Sequence, residues 1–414
     1  MKILGIIAEY NPFHNGHAYQ IQKAKQITKA DAVIVVMSGN FVQRGEPAIL
    51  DKWTRTHMAL CGGADMIIEL PILYATASAE YFAHAGIKLL HDTGIVTDIC
   101  FGSEIGEIAP IIQTAKLLLN ESDNFKQLLK QYLQQGLSYA SARYTALTEL
   151  YPITKNVLTE PNNILAVEYV KALQKLNSHI CPHTITRKGN HYHDTLLSEQ
   201  KMASASALRN ALLQGHIKEI YPYIPQQCHD ILYKSISQGI APIFLNDFTT
   251  ALQYCIRTQT PQQIKNIFEV TEGLENRIYQ SLNTQYDIEN MISFIKTKRY
   301  TQTHIQRMLL HILLQIQKKD VLYFNEKGYS PYIRVLGFRR EKQNLFSMLK
   351  KHCALPLLTN LKQYKNVLDE KGQYLLSLET KSTDIYFIAS PNKIYSRINQ
   401  DFTTPMVMIS HSQT

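Results

Sequence analysis

No stretch of this 414-residue chain approaches the ~20 consecutive apolar residues that a membrane-crossing helix needs. The first apolar run is short and stops at Glu9, so it does not read as a signal peptide. Cysteine is sparse and unpatterned: Cys61, Cys100, Cys181, Cys228, Cys255 and Cys353 include no Cys-x-x-Cys pair. That argues against a disulfide framework or a zinc site and favours a reducing, cytoplasmic setting. Internal repeats and low-complexity linkers are missing as well. Acidic residues are the minority charge, 34 against 43 Lys and Arg, which leaves a formal net charge of +9. Such an excess suits polyanionic partners, nucleic acid among them, although many basic proteins bind none. What remains is an ordinary soluble composition, 45% hydrophobic and 19% charged, in a chain long enough for two or three domains.

The densest chemistry lies at the start. Ile3 to Ala8 is an unbroken apolar run rich in β-branched residues, the pattern of a strand buried on both faces. Beyond Asn11-Pro-Phe-His14-Asn-Gly16-His17, the apolar residues Ala18, Ile21 and Ala24 recur at helical spacing, so the reading is strand, loop, helix. A loop of this kind at the carboxyl edge of a parallel sheet is a ready phosphate site. His14 and His17, three apart at the helix mouth, can face one oxygen cluster together and donate to a phosphoryl group, and Gly16 lets the backbone come close. The competing account is two histidines that merely share a turn.

Ala32 to Met37 reads as a second buried strand, which completes a βαβ unit and implies a right-handed crossover in a parallel sheet. Ser38, Gly39 and Asn40 end that strand, and the polar, turn-rich Phe41 to Pro47 follows where loops line the crevice. Ser38, Asn40 and Arg44 are therefore candidates for substrate contact; for Arg44 the bland alternative is a surface arginine in a turn. A helix from Asp51, a strand over Asp65–Leu70, a helix over Ala75–Leu90 and a strand over Thr97–Glu104 come next. Gly102 then stands on the same edge as His14, either making room for a base or ribose or serving its turn. Residues 110–150 read as a helical insertion. Asn162 and Asn163 precede a further apolar helical stripe, one as its N-cap and the other free for ligand work. A fifth strand over His183–Thr186 brings Arg187 to the active edge, where a guanidinium can neutralise triphosphate oxygens. His191 and His193 read more readily as solvated loop residues than as metal ligands.

From about Tyr221 prolines punctuate short helices and the βαβ alternation stops. Lys296-Thr-Lys298-Arg299-Tyr300 is a basic cluster with an aromatic, suited to phosphates and an unstacked base, or simply a solvated face. Tyr332 to Phe338 reads as a strand or turn, and Ile385 to Ala389 as a strand or buried helix. The expected fold is α/β. A Rossmann-like parallel-sheet domain over 1–220, which the resemblance below makes a nucleotidyltransferase-like ATP-binding catalytic domain, is followed by a mainly helical region over 221–325, expected to bind tRNA. A small mixed α/β segment over 326–414 completes the chain.

His14-Asn-Gly-His17 resembles the His-x-Gly-His signature of the nucleotidyltransferase superfamily. Gly5 to His17, Met37 to Pro47 and Pro161-Asn-Asn-Ile-Leu165 together resemble the tRNA(Met) cytidine acetate ligase family. Lys298-Arg-Tyr-Thr301 and Tyr332-Ile-Arg-Val-Leu-Gly-Phe338 are similar to it too, so the resemblance spans essentially the whole chain. It implies activation of acetate by ATP to acetyl-adenylate, with Mg²⁺ on the phosphates. Acetyl transfer to the wobble cytidine of elongator tRNA(Met) follows. It also implies ATP contacts by Ile7, Ala8, Glu9, Tyr10, Asn11, Pro12, Phe13, His14, Asn15, Gly16, His17, Ala18, Tyr19 and Gln20, and by Gly102, Asn162 and Arg187. In the superfamily a Ser/Thr and Arg/Lys motif grips the β and γ phosphates, a role that Ser204, Ser206 and Arg209 fit, with Ser204 as a plain N-cap the alternative. Lys298 and Arg299 fit contacts to RNA. Two other readings share these residues: a small-molecule nucleotidyltransferase of the mononucleotide or pantetheine-phosphate adenylyltransferase type, and a non-catalytic RNA-binding protein.

Overall fold

The computed structural model describes residues 1–187, 202–271 and 273–410. Its core is a sheet in the order β10-β8-β5-β2-β1-β6-β7. The strands are β1 (Ile3–Ala8), β2 (Ala32–Ser38), β5 (Met66–Leu70), β6 (Asp98–Ser103), β7 (Cys181–Thr186), β8 (Ile333–Arg339) and β10 (Val407–Ile409), with the short β9 (Leu357–Leu358) beside β8. A separate hairpin pairs β3 (Phe41–Val42) with β4 (Glu46–Pro47). The five strands of the first half run parallel, as their apolar runs imply. Because β2 and β5 lie on one side of β1 and β6 and β7 on the other, the winding reverses between β1 and β6. Ligands of open α/β sheets bind above such a reversal.

Alternation along the strands divides the core. Ile34, Val36 and Ile68 join one buried cluster, and Val33, Val35 and Ile67 the other. Each fully buried Val or Ile contributes about 1.5–3 kcal/mol of transfer free energy. The helices α1 (Asn15–Thr28) and α2 (Lys52–Cys61) cover the second face. The first face carries α4 (Ala79–Asp92), which follows the one-turn α3 (Ile72–Ala75), and α8 (Pro161–Lys175). The helix expected over Ala75–Leu90 is thus two, broken where Ser78 starts α4. Between β6 and α8, the inserted α5 (Ile108–Leu119), α6 (Asp123–Gln134) and α7 (Tyr139–Leu150) replace a direct crossover.

The C-terminal stretch adds strands to the first sheet instead of building a sheet of its own. β8 pairs antiparallel with β5, and β10 pairs parallel with β8. Residues of the helical middle, such as Leu252, Ile292 and Leu309, share the apolar cluster that lies under that sheet. Ile385–Ala389 resolves as the end of the helix Glu370–Ile388.

Candidate active site

A cleft of about 260 Å³ opens over the carboxyl ends of β1 and β6. The N-terminus of α1 forms one wall, where His14 is the N-cap. Its Nδ1 accepts from the Gly16 N–H at 3.0 Å, and His17 Nδ1 accepts from the His14 N–H at 3.2 Å. An imidazole that accepts on Nδ1 keeps its proton on Nε2. Both rings therefore present an Nε2–H donor, and they stack with centroids 3.7 Å apart. Burial, followed by the charges of Arg187 and Arg209, holds His14 down at about 3; burial, His14 and Arg187 hold His17 well below its ordinary value. The pair is neutral at physiological pH. A Cβ on Gly16 would come within 2.8 Å of the His14 ring, so this glycine makes room for an imidazole as well as for any phosphate.

Among the described residues, three arginines bring positive charge to the cleft. Arg187, following β7, donates from Nη1 to Asn162 Oδ1 at 2.7 Å, and the Asn162 amide in turn donates to Glu104. Arg209 belongs to α9 (Ala205–Leu213); it donates to the Asn11 carbonyl at 3.0 Å and to Ser206 Oγ at 3.2 Å. Arg44, from the β3–β4 hairpin, reaches the same hydroxyl at 3.5 Å. Gly45 shapes that hairpin: its φ is +80°, and a Cβ there would lie 2.3 Å from the Arg307 backbone nitrogen. Opposite, Glu9 accepts from the Gln43 N–H at 2.9 Å, and burial raises its carboxyl pKa against the pull of Arg44. Phe82, Phe101, Leu165 and Tyr169 supply an apolar wall suited to a flat base.

Most of the residues expected from sequence meet here: Ile7, Ala8, Glu9, Tyr10, Asn11, His14, Gly16, His17, Tyr19, Gln20, Arg44, Gly102, Asn162, Arg187, Ser206 and Arg209 all line the cleft. Others do not. Phe13 is buried edge-on against Tyr10, Asn15 donates to the Pro222 carbonyl, and Pro12 and Ala18 lie outside the lining. Ser38 and Asn40 are buried below the cleft, where the Ser38 carbonyl accepts from Arg55 and Asn40 Oδ1 from the Lys52 N–H. Lys298 and Arg299 sit on an exposed turn elsewhere. His191 and His193 lie outside the described residues.

Two local expectations need correction. Neither asparagine caps α8. Glu160 is its N-cap and Pro161 its first residue, so Asn162 and Asn163 fall inside the first turn. Asn163 Oδ1 accepts instead from the N–H groups of Glu104 and Ile105. The space beside Gly102 is taken by Arg187, whose Cγ would lie 3.1 Å from an added Cβ. The sequence reading also passed over Arg55, which is fully buried and donates to the carbonyls of Glu9, Ser38, Gly39 and Leu50. It ties together the ends of β1 and β2 that carry the site. Its only sequence signal is a charged residue amid the apolar positions of α2.

Against known proteins, a family model described as HIGH Nucleotidyl Transferase matches residues 1–401. A tRNA(Met) cytidine acetate ligase of Acetivibrio thermocellus is 40% identical over 99% of this chain and its own full length. One from Thermoanaerobacter sp. strain X514 is 42% identical over the same shares. Among solved structures, Thermotoga maritima TmcAL bound with alpha-thio ATP superimposes with a TM-score of 0.93 at 32% identity, and its apo form with 0.95 at 33%. Each covers 99% of this chain and 100% of the other. The chain belongs to the tRNA(Met) cytidine acetate ligases, enzymes of the HIGH nucleotidyl transferase fold.

Proposed function

We propose that this enzyme joins acetate to ATP in the cleft and passes the acetyl group to the N4 amine of the wobble cytidine of elongator tRNA(Met), working in the cytoplasm. The observation that carries this reading is the stacked, neutral His14–His17 pair, with two Nε2–H donors at a helix N-terminus beside three arginines. An acetate oxygen attacks the α-phosphorus, the bond to the β-phosphate bridge breaks, and pyrophosphate leaves with the electron pair. His14 and His17 steady the pentacoordinate phosphorus, while Arg187 and Arg209 hold the departing pyrophosphate and Arg44 with Ser206 closes the far side. The cytidine amine then attacks the acyl carbon, AMP departs with the shared oxygen, and the amine loses a proton to water.

The remaining contacts fit nucleotide binding. The aromatic wall takes adenine, and the N-terminal loop and Asn162 position ribose and phosphates. Glu9 is the carboxylate that lines the cleft among the described residues, and it would help hold an Mg²⁺ arriving on the triphosphate. When bound, that ion offsets phosphate charge. For the test, the protein is incubated with ATP, labelled acetate and tRNA. Label in N4-acetylcytidine, together with acetate-dependent exchange of pyrophosphate into ATP, is the expected result. Unlabelled RNA alongside adenylylation of a small mononucleotide would overturn the reading in favour of a cofactor-making nucleotidyltransferase.

A further inference from the structure

Beside the cleft lies a second cavity, of about 480 Å³, which none of the chemistry above uses. The two share a wall. From α9, Ser206 lines the cleft and Asn210 the cavity; from the hairpin, Arg44 lines the cleft and Glu46 the cavity; Arg209 lines both. Four residues of helix rise only about 6 Å, so the two spaces are one helical turn apart. The Arg209 Nε lies 3.6 Å from Glu46, whose other oxygen accepts from Gln306 at 3.4 Å.

Building on the function proposed above, we infer that this cavity receives the acceptor cytosine after it has left its stack. Ile243, Phe244 and Ile292 form an apolar floor against which a flat ring packs. Around it stand the amides of Asn210, Gln302 and Gln306 and the Glu46 carboxylate. Cytosine offers an amine donor and two acceptors, N3 and O2, so amides and a carboxylate complement its pairing edge. Lys296 stands at the cavity, and the same turn continues to the exposed Lys298 and Arg299, a place for the flanking phosphates. The basic turn absent from the ATP cleft thereby acquires a role. Gly45, keyed into the helix Gln302–Leu314, holds the hairpin that carries Arg44 to the cleft and Glu46 to the cavity.

The test fills the cavity from its solvent side in the full-length enzyme. Ser293→Trp and, separately, Leu213→Trp place an indole where the ring would lie; both positions are exposed, which favours folding. Acetate-dependent pyrophosphate exchange should stay within about twofold of the unaltered enzyme, and tRNA retention within about threefold, because phosphate contacts dominate affinity. Acetyl transfer should fall about 10- to 100-fold, the worth of one base-stacking site. Transfer at the unaltered rate in both variants overturns the inference, as does an equal loss of exchange and transfer. A proportional loss of tRNA retention also overturns it, since the face would then be a docking surface only. If the unaltered enzyme itself shows no acetate-dependent exchange, the proposed function fails first, and that result is distinct from any of these.

Discussion

Two groups of charge in the molecule behave in opposite ways. Under the sheet, Lys52 bonds Glu69 at 2.8 Å and Asp401 at 2.7 Å, while Arg334 bonds the same two carboxylates at 2.9 and 2.6 Å, all four side chains buried. This group is closed to solvent: two cations stand with three buried carboxyls, the third being Glu379, whose pKa burial and Glu69 push up to about 8, and together they clamp a C-terminal segment to strands from the first half. In the cleft the charged group is open to solvent instead. Arg44, Arg187 and Arg209 line it with Glu9 as the carboxylate among the described lining residues and Glu46 at 3.6 Å from Arg209, and two neutral imidazoles add donors without charge. Charges knitted together across distant segments hold the fold, whereas arginines and neutral donors lining a cleft suit a polyanion.

The sharpest way to break that contrast is to open the closed group. Arg334→Met leaves Glu69 and Asp401 with Lys52 alone and should lower stability by about 3–5 kcal/mol in denaturant unfolding. A change below ~1 kcal/mol would show that the clamp is dispensable. In the open group, His17→Ala should slow acetate-dependent pyrophosphate exchange about 10²- to 10³-fold, roughly the loss of one preorganised donor. Intact exchange and RNA acetylation in that variant would place the chemistry elsewhere. Gly45→Ala forces an unfavourable φ and a backbone clash, at about 1–3 kcal/mol, and should depress both half-reactions by disturbing Arg44. Unchanged stability would mean that the hairpin tolerates a shift.

Protonation separates the two groups further. Because burial holds His14 near 3 while an unfolded histidine titrates near 6.5, the unfolded chain binds more protons between those values. The histidine contribution to stability is thus fully present above about 6.5 and is lost as pH falls toward 3, which acid titration of the unfolding midpoint would follow. Exchange activity should show no histidine limb near neutrality; a limb there that vanishes in His14→Asn would contradict the neutral pair. The smallest effect is expected outside both groups. Lys298→Glu with Arg299→Glu should weaken tRNA binding and lower its salt slope by about two while sparing adenylate formation. Equal loss of both steps would contradict that division.

Much of the cleft was legible before any coordinates. His14, His17 and Gly16 are close in sequence, and the apolar run before them and the helical spacing after them are local patterns. Gly102 and Arg187 were readable as edge residues because each stands at the carboxyl end of a recognisable strand. Arg55 and the Lys52–Arg334 group were not, since a buried charge announces itself only through partners: Lys52 meets Thr383 across 331 positions. The cap expected of Asn162 or Asn163 failed for the same reason. Cap rules consult the helix an asparagine stands in, but the Asn162 side chain answers to Glu104 and Arg187.

By itself, then, the sequence determined the parallel strands, the helix that begins at the histidines and the family signature, because side-chain periodicity and backbone preference act over a few residues. Only the tertiary structure decided three further things: that β8 enters the sheet antiparallel beside β5, that Arg187 fills the space at Gly102, and that a second cavity shares Arg209 with the first. Each depends on packing between segments far apart in the chain, where the gain comes from burial and charge pairing that no local pattern encodes.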